Sequence, residues 1–138
     1  MYLIDTNVIS ELRKGQTRNP NVDSWYSTVS MEELFLSVLV LGEIRSGAER
    51  LRRHDPVQAT ALERWLDRVR HAFRGRIFDV DQDIADFWGR LNVPSRLSVV
   101  DSLLAATALR HGLTLVTRNI KHIARTGVNY LDPFEPLH

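Results

Sequence analysis

Short apolar runs of strand character alternate with segments whose apolar residues recur at helical spacing, and this alternation leaves few folds open. The strand-like runs are Tyr2 to Ile4, Leu34 to Val38, Arg76 to Phe78, Thr114 to Thr117 and Asn129 to Leu131. Between the first two, Val8, Ile9 and Leu12 keep a helical period until Lys14-Gly15, and Val22 to Val29 follows the turn Asn19-Pro20-Asn21. A helix is expected from Val40 to about Arg53. The next starts at Pro56 and carries the stripe Leu62, Trp65, Leu66 and Val69 up to Phe73, before Gly75. Asp81 is placed to cap a helix over Ile84 to Leu91 that Pro94 ends, and Ser98 to open one over Val99 to His111 that Gly112 closes. A short turn or helix over Ile120 to Ala124 precedes the last strand. Strand followed by helix throughout predicts an α/β fold. Its parallel sheet has helices on both faces and binds ligands beyond the carboxyl ends of the strands.

The chain has 138 residues, the size of one domain. No repeat, low-complexity tract or dividing linker interrupts it, so residues 1–138 are read as one domain. Without cysteine, disulfides, thiolate zinc sites and a cysteine nucleophile are excluded. Met1 leads straight into apolar sequence without a basic leader, and no apolar run nears the roughly 18 residues of a membrane span. A cytoplasmic protein is therefore expected, neither secreted nor inserted in a membrane. The net charge of +1 hides a basic middle third, with Arg45, Arg50, Arg52, Arg53, Arg64, Arg68, Arg70, Arg74 and Arg76. Such a stretch either holds a phosphate backbone or, as helices more often do, solvates an outer face.

Chemistry is sought where acids stand against the apolar grain, because a carboxylate in apolar surroundings must be paired, hydrogen-bonded or metal-bound. Asp5 ends the first strand, Glu43 lies within Val38-Leu39-Val40-Leu41-Gly42-Glu43-Ile44, and Asp101 interrupts Leu97-Ser98-Val99-Val100-Asp101-Ser102-Leu103-Leu104. Plainer roles exist for each. Asp5 can cap the helix beginning near Asn7, Glu43 can pair with Arg45 or Arg50, and Ser98 with Asp101 has the spacing of a capping box. Asp101, however, shares a helical face with Leu104, Ala105 and Ala108, a stripe that packs inward. If the three carboxylates converge, their repulsion calls for a cation, and oxygen-only ligands select Mg²⁺ or Mn²⁺. Such an ion activates water and stabilises a phosphodiester transition state. His54, His71, His111, His122 and His138 lack zinc spacing, and a lone histidine such as His122 is more often a surface residue.

Leu3-Ile4-Asp5-Thr6-Asn7-Val8-Ile9-Ser10 resembles the first motif of the PIN domain family. Three further segments match in order: Leu39 to Ile44 around Glu43, Val100 to Ala108 around Asp101, and Leu115-Val116-Thr117-Arg118-Asn119. Proteins with this pattern are mostly VapC-type toxins, and the variant is similar to the FitB-like subgroup. The resemblance implies a three-layer α/β/α PIN-like domain with a central parallel sheet of four to five strands. It also implies a Mg²⁺- or Mn²⁺-dependent endoribonuclease acting on RNA, usually a homodimer. A small VapB-like antitoxin would hold it inactive, with operator DNA bound only through that antitoxin. Asp5, Glu43 and Asp101 would be the catalytic, metal-holding acids, Asn119 a further metal ligand, and Thr6 and Thr117 their hydrogen-bonding supports. Asn119 stands where some relatives have Asp, and His122 where an acid often follows. The expected site is thus less negative than the most acidic versions and holds one ion firmly. The helical segment with Trp65 and Leu66 between arginines is read as a dimer face.

An aspartyl-phosphate phosphotransferase fits poorly, because its usual second Asp is Asn7 here. Neither Gly-x-Gly-x-x-Gly nor a Gly-Lys-Ser/Thr loop occurs to support a nucleotide-binding fold. The rival of another class is a PIN fold that has lost turnover and serves as an antitoxin-binding co-repressor module.

Overall fold

Leu3 and Ile4 are fully buried, and a strand buried on both faces needs strands on both edges and helices above and below. The computed structural model describes residues 1–93 and 98–136. Among them, β1 (Tyr2–Ile4) lies at the centre of a five-stranded sheet with β2 (Leu34–Ser37), β3 (Ile77–Phe78), β4 (Thr114–Val116) and β5 (Tyr130–Leu131). The order is β3-β2-β1-β4-β5 and every pair is parallel, with Leu3 opposite Phe35 and Leu115, and Val116 opposite Leu131. The expected α/β architecture is therefore present, with the strand number at the upper end of expectation.

The helices are α1 (Thr6–Leu12), α2 (Pro20–Tyr26), α3 (Val38–Arg52), α4 (Pro56–Ala72), α5 (Gln82–Leu91), α6 (Val99–His111) and α7 (Ile120–Ile123). Side-chain caps explain where they start. Asn19 Oδ1 accepts from the backbone N–H of Asn21 at 2.9 Å, so α2 starts at Pro20 and not at Val22. It stops at Tyr26, short of Val29, because the Ser27 and Thr28 hydroxyls donate to the carbonyls of Ser24 and Trp25 at 2.8 and 2.6 Å. The Ser37 hydroxyl accepts from Leu39 N–H at 3.1 Å, which draws Val38 out of the strand and into α3. Asp81 caps α5 through Ile84 N–H at 2.9 Å, as its position suggested. Gly112 ends α6 at φ 66°, in the left-handed region that a side chain resists. Pro94, expected to end α5, lies outside the described residues, as do Leu97 and His138.

The core is one cluster in which Leu36, Leu66, Leu104, Leu115 and Val116 meet across both faces of the sheet. Leu66 is fully buried within this chain, which corrects its reading as part of a dimer face: the apolar side of α4 already closes on the chain's own core. Trp65 stays half-buried with the Arg13 guanidinium carbon 5.4 Å from its ring centroid. Part of the basic middle third is neutralised locally. Arg45 and Arg52 of α3 converge on Glu63 of α4, Arg52 at 2.9 Å, and Arg70 pairs with Asp67 at 3.4 Å. Among the described residues no helix is long and apolar enough to cross a membrane.

Arg76 is used differently. Its guanidinium donates to the carbonyls of Leu34 and Ala72, each at 2.6 Å, and to that of Met31. It thereby ties the end of α4 to the loop entering β2. Truncation would remove these bonds to main-chain carbonyls, a loss of about 2–3 kcal/mol at the usual value of hydrogen bonds to charged groups. Arg76→Ala should therefore melt at least about 5 °C below the parent. Arg76→Lys should recover little, because an ammonium lacks the planar fork. Thermal denaturation followed by circular dichroism checks both, and a melt equal to the parent's would show that the bridge does not hold the sheet edge.

Candidate active site

Asp5 is the first residue beyond β1 and is 4% exposed. Because β4 lies beside β1 in register, Thr117 stands at the same level, and its hydroxyl donates to Asp5 Oδ2 at 2.7 Å. The other oxygen, Oδ1, accepts the backbone N–H of Thr6 at 2.7 Å. The cap reading of Asp5 holds, and the residue that opens α1 is at the same time a buried acid.

Thr6 serves two acids. Its backbone N–H holds Asp5, and its hydroxyl donates to Glu43 Oε1, which reaches the site from the second turn of α3. Glu43 is therefore not the partner of a neighbouring arginine. Arg45 is engaged by Glu49 and Glu63, and Arg50 donates to the Ser46 hydroxyl at 2.9 Å. Asp101 sits in the first turn of α6, half-buried above Leu104, Ala105 and Ala108, which are fully buried. Ser98 makes no side-chain cap there, so the capping-box reading does not hold. Its carbonyl instead accepts from the Ser102 hydroxyl at 2.7 Å, and Trp88 Nε1 donates to that hydroxyl at 2.9 Å.

Electrostatics join the three acids. Burial raises the Asp5 carboxyl above its ordinary range; the Thr117 hydroxyl and the Thr6 amide work against this, and the charges of Asp101 and Glu43 push it up further. Removing water from the carboxylate outweighs the hydrogen bonds that favour its charged form. Among the described residues no three Asp, Glu or His side chains are gathered into a ready-made metal cage. The anionic centre consists of one buried carboxylate with two others acting on it.

Asn119 is exposed, and its backbone N–H donates to the Thr117 hydroxyl at 3.1 Å, which brings the residue to the rim of the site. His122 is exposed one turn further along, as its plainer reading expected. The residue that sequence reasoning missed is Asn7. Its amide nitrogen lies 3.3 Å from Asp5 Oδ2 and 3.5 Å from the Thr117 hydroxyl, and its Oδ1 accepts the N–H of Arg118 at 3.2 Å. One side chain thus spans the loops after β1 and β4. Its only signal in the sequence was its place in Asp5-Thr6-Asn7, where a helix start explains Asn equally well.

A parallel α/β domain that buries a carboxylate past its central strand, within the field of two more acids, is built around an anionic centre. The PIN domain family matches residues 2–128, and the chain belongs to that family. It is 29% identical to the toxin FitB of Neisseria gonorrhoeae, across 97% of this chain and 99% of that protein. It is 30% identical to the VapC ribonuclease Y4jK of Sinorhizobium fredii, across 99% of each. A structure of FitAB bound to a DNA fragment superposes with a TM-score of 0.88 at 27% identity, covering 100% of this chain and 99% of that one.

The raised Asp5 carboxyl has a consequence for stability. For an acid whose folded-state pKa lies above its unfolded value, the penalty is full above the folded pKa. It is relieved as pH falls through that value and is gone below the unfolded pKa of about 3.9. In metal-free buffer at pH 7, Asp5→Asn should melt roughly 2–4 °C above the parent, the shift that about 1 kcal/mol gives in a chain of this size. The gap should close towards pH 4. A lower melting point for the variant at pH 7 would mean that the hydrogen bonds to the carboxylate outweigh its burial.

Proposed function

We propose that the chain is a Mg²⁺- or Mn²⁺-dependent endoribonuclease and the toxin of a VapBC-type toxin–antitoxin pair. The observation that carries this reading is Asp5, buried and hydrogen-bonded at the end of β1 with Glu43 and Asp101 acting on it. It stands in a chain similar along its length to a VapC ribonuclease and to a toxin. The donor set suits a hard divalent ion, being entirely oxygen, and an opposite charge returns the Asp5 carboxyl to its ionised form. Mg²⁺ keeps several of its waters, so a closed protein cage is not required, and water can bridge to the half-buried acids.

Asp5, Glu43 and Asp101 would hold the ion, with the side-chain carbonyl of Asn119 as a weaker ligand. Once bound, the ion supplies an acidified water and charge stabilisation for phosphodiester hydrolysis. The protein's own part is orientation. Thr117 and the Thr6 amide fix the two oxygens of Asp5, the Thr6 hydroxyl fixes Glu43, and Asn7 keeps the β1 and β4 loops in register. Three carboxylates carry three negative charges, which one divalent ion leaves short by one and two exceed by one. A single resting ion is the reading this supports, with any second arriving alongside substrate phosphate.

The antitoxin partner follows from the same relatives and from a groove between α1, α2 and α4. The groove presents Leu12, Tyr26, Trp65 and Phe73 with Arg13 and Arg68 at its edge, a surface for a helix with apolar and acidic side chains. The protein encoded beside the gene is the expected occupant. It should co-purify with the parent and be lost from Trp65→Asp. A homodimer belongs to the same reading, and light scattering should report twice 15.9 kDa.

Purified protein should cleave labelled RNA with Mn²⁺ and stop when chelator is added. Asp5→Ala should abolish cleavage. Asn119→Ala should modestly raise the Mn²⁺ concentration for half-maximal cleavage, and Asn119→Asp should lower it, since a charge added near 4 Å at an effective dielectric of about 20 is worth up to a few kcal/mol before desolvation. If both Asn119 variants match the parent across the titration, Asn119 is not near the ion. A folded protein that cleaves nothing at any Mn²⁺ concentration would leave the non-catalytic co-repressor as the better reading.

A further inference from the structure

Arg118 directly follows the threonine that holds Asp5, and its backbone N–H is held by Asn7 Oδ1 at 3.2 Å. The point at which its side chain leaves the main chain is therefore tied to the acid site. The guanidinium carbon lies 4.4 Å from the centroid of the Phe134 ring. Phe134 is braced in turn: its N–H donates to Asp132 Oδ1 at 2.9 Å, and its carbonyl accepts from Asn21 Nδ2 at 2.7 Å. A guanidinium held over a ring, where no carboxylate takes up its N–H donors, still has donors to offer a phosphate.

Several arginines are engaged by acids. Arg18 pairs with Asp23, Arg52 with Glu63, Arg90 with Asp86 and Arg110 with Asp83. Among the described residues Arg118 forms no ion pair, although it is exposed. Glu11, whose carboxyl feels the charge of Arg118, is occupied by Lys14 Nζ at 3.0 Å and by the N–H of Asn19 at 2.9 Å. An ordered, unpaired cation thus stands at the rim of an anionic centre.

A shallow cleft runs outward from Arg118 and Asn119, past Lys121 and His122, to Tyr130, which is 45% exposed. Asp132 and Glu135, on either side of Phe134 in the chain, also line it, and these acids disfavour a run of phosphates along it. One phosphate at the Arg118 end, with its less charged nucleoside in the cleft, fits that distribution. Single-stranded RNA presents this combination, with bases free to leave the stack.

We propose that Arg118, braced by Phe134, grips the phosphate next to the one cleaved, and that the cleft towards Tyr130 receives the nucleotide attached to it. The proposal rests on the ribonuclease reading and adds a substrate subsite to it. The phosphate contact makes Arg118 a binding residue, and Phe134 acts by positioning it.

The test is fluorescence anisotropy with a short labelled single-stranded RNA of mixed sequence, titrated in a KCl series onto protein carrying Asp5→Asn to prevent cleavage. Adding Arg118→Ala should weaken binding about tenfold, the usual value of a charge-assisted contact. It should also flatten the slope of log affinity against log salt by about 0.7, the loss of one phosphate contact to a single strand. Arg118→Lys should keep the slope while binding more weakly, and Phe134→Leu should weaken binding a few-fold with the slope intact. Arg118 is exposed, so its variants should melt as the parent does. Should the Ala variant melt early, Arg118→Gln, which keeps the stack without the charge, gives the same slope test. An Arg118→Gln variant with the parent's affinity and slope overturns the proposal. If the unsubstituted protein cleaves the RNA while that slope is unchanged, only the subsite falls. If it neither binds nor cleaves RNA, the ribonuclease reading falls and the subsite with it.

Discussion

A carboxylate cannot be withdrawn from water without compensation, and the burial of Asp5 at the end of the central strand organises what surrounds it. Thr117 must lie opposite, which requires β4 to pair with β1. The Thr6 amide must point back at the acid, which requires α1 to begin immediately after the strand. Asn7 then has to cross between the loops that follow β1 and β4. Even with these donors in place, burial dominates and the carboxyl lies above its ordinary range. The centre therefore favours either a proton on Asp5 or a positive charge beside it.

Cationic side chains divide according to what surrounds them. On α3, Arg45 and Arg52 face acids one helical turn away or on the neighbouring helix, and they close a network around Glu63 and Glu49. Such pairs are half-exposed and each adds little to stability. Arg76 is bound to main-chain carbonyls and acts as a strut. Arg118 has a ring beneath it and, among the described residues, no ion pair. Residues of one type are thus a solvated face, a strut and an open contact, and only the neighbours distinguish the three.

Much was legible along the chain. The alternation of strand and helix, the parallel sheet, the cap at Asp81 and the three acids all depend on periodicity or on nearest neighbours, which the order of residues records directly. Boundaries moved where a side chain competed for a terminal backbone group, as Ser37 did for Val38. Leu66 was misplaced because its pattern cannot say whether an apolar face meets the same chain or a second copy.

By itself, then, the sequence determined which segments fold into which elements, that Asp5, Glu43 and Asp101 stand against apolar surroundings, and which family their motifs belong to. Tertiary structure decided the rest. It joined Thr6 to Glu43, set Asn7 across two loops and laid Arg118 over Phe134. These contacts link residues far apart in the chain, and their existence depends on the strand order β3-β2-β1-β4-β5. Local propensity reads only a few residues at a time, whereas hydrogen bonds and charges act through space once packing has brought the partners together.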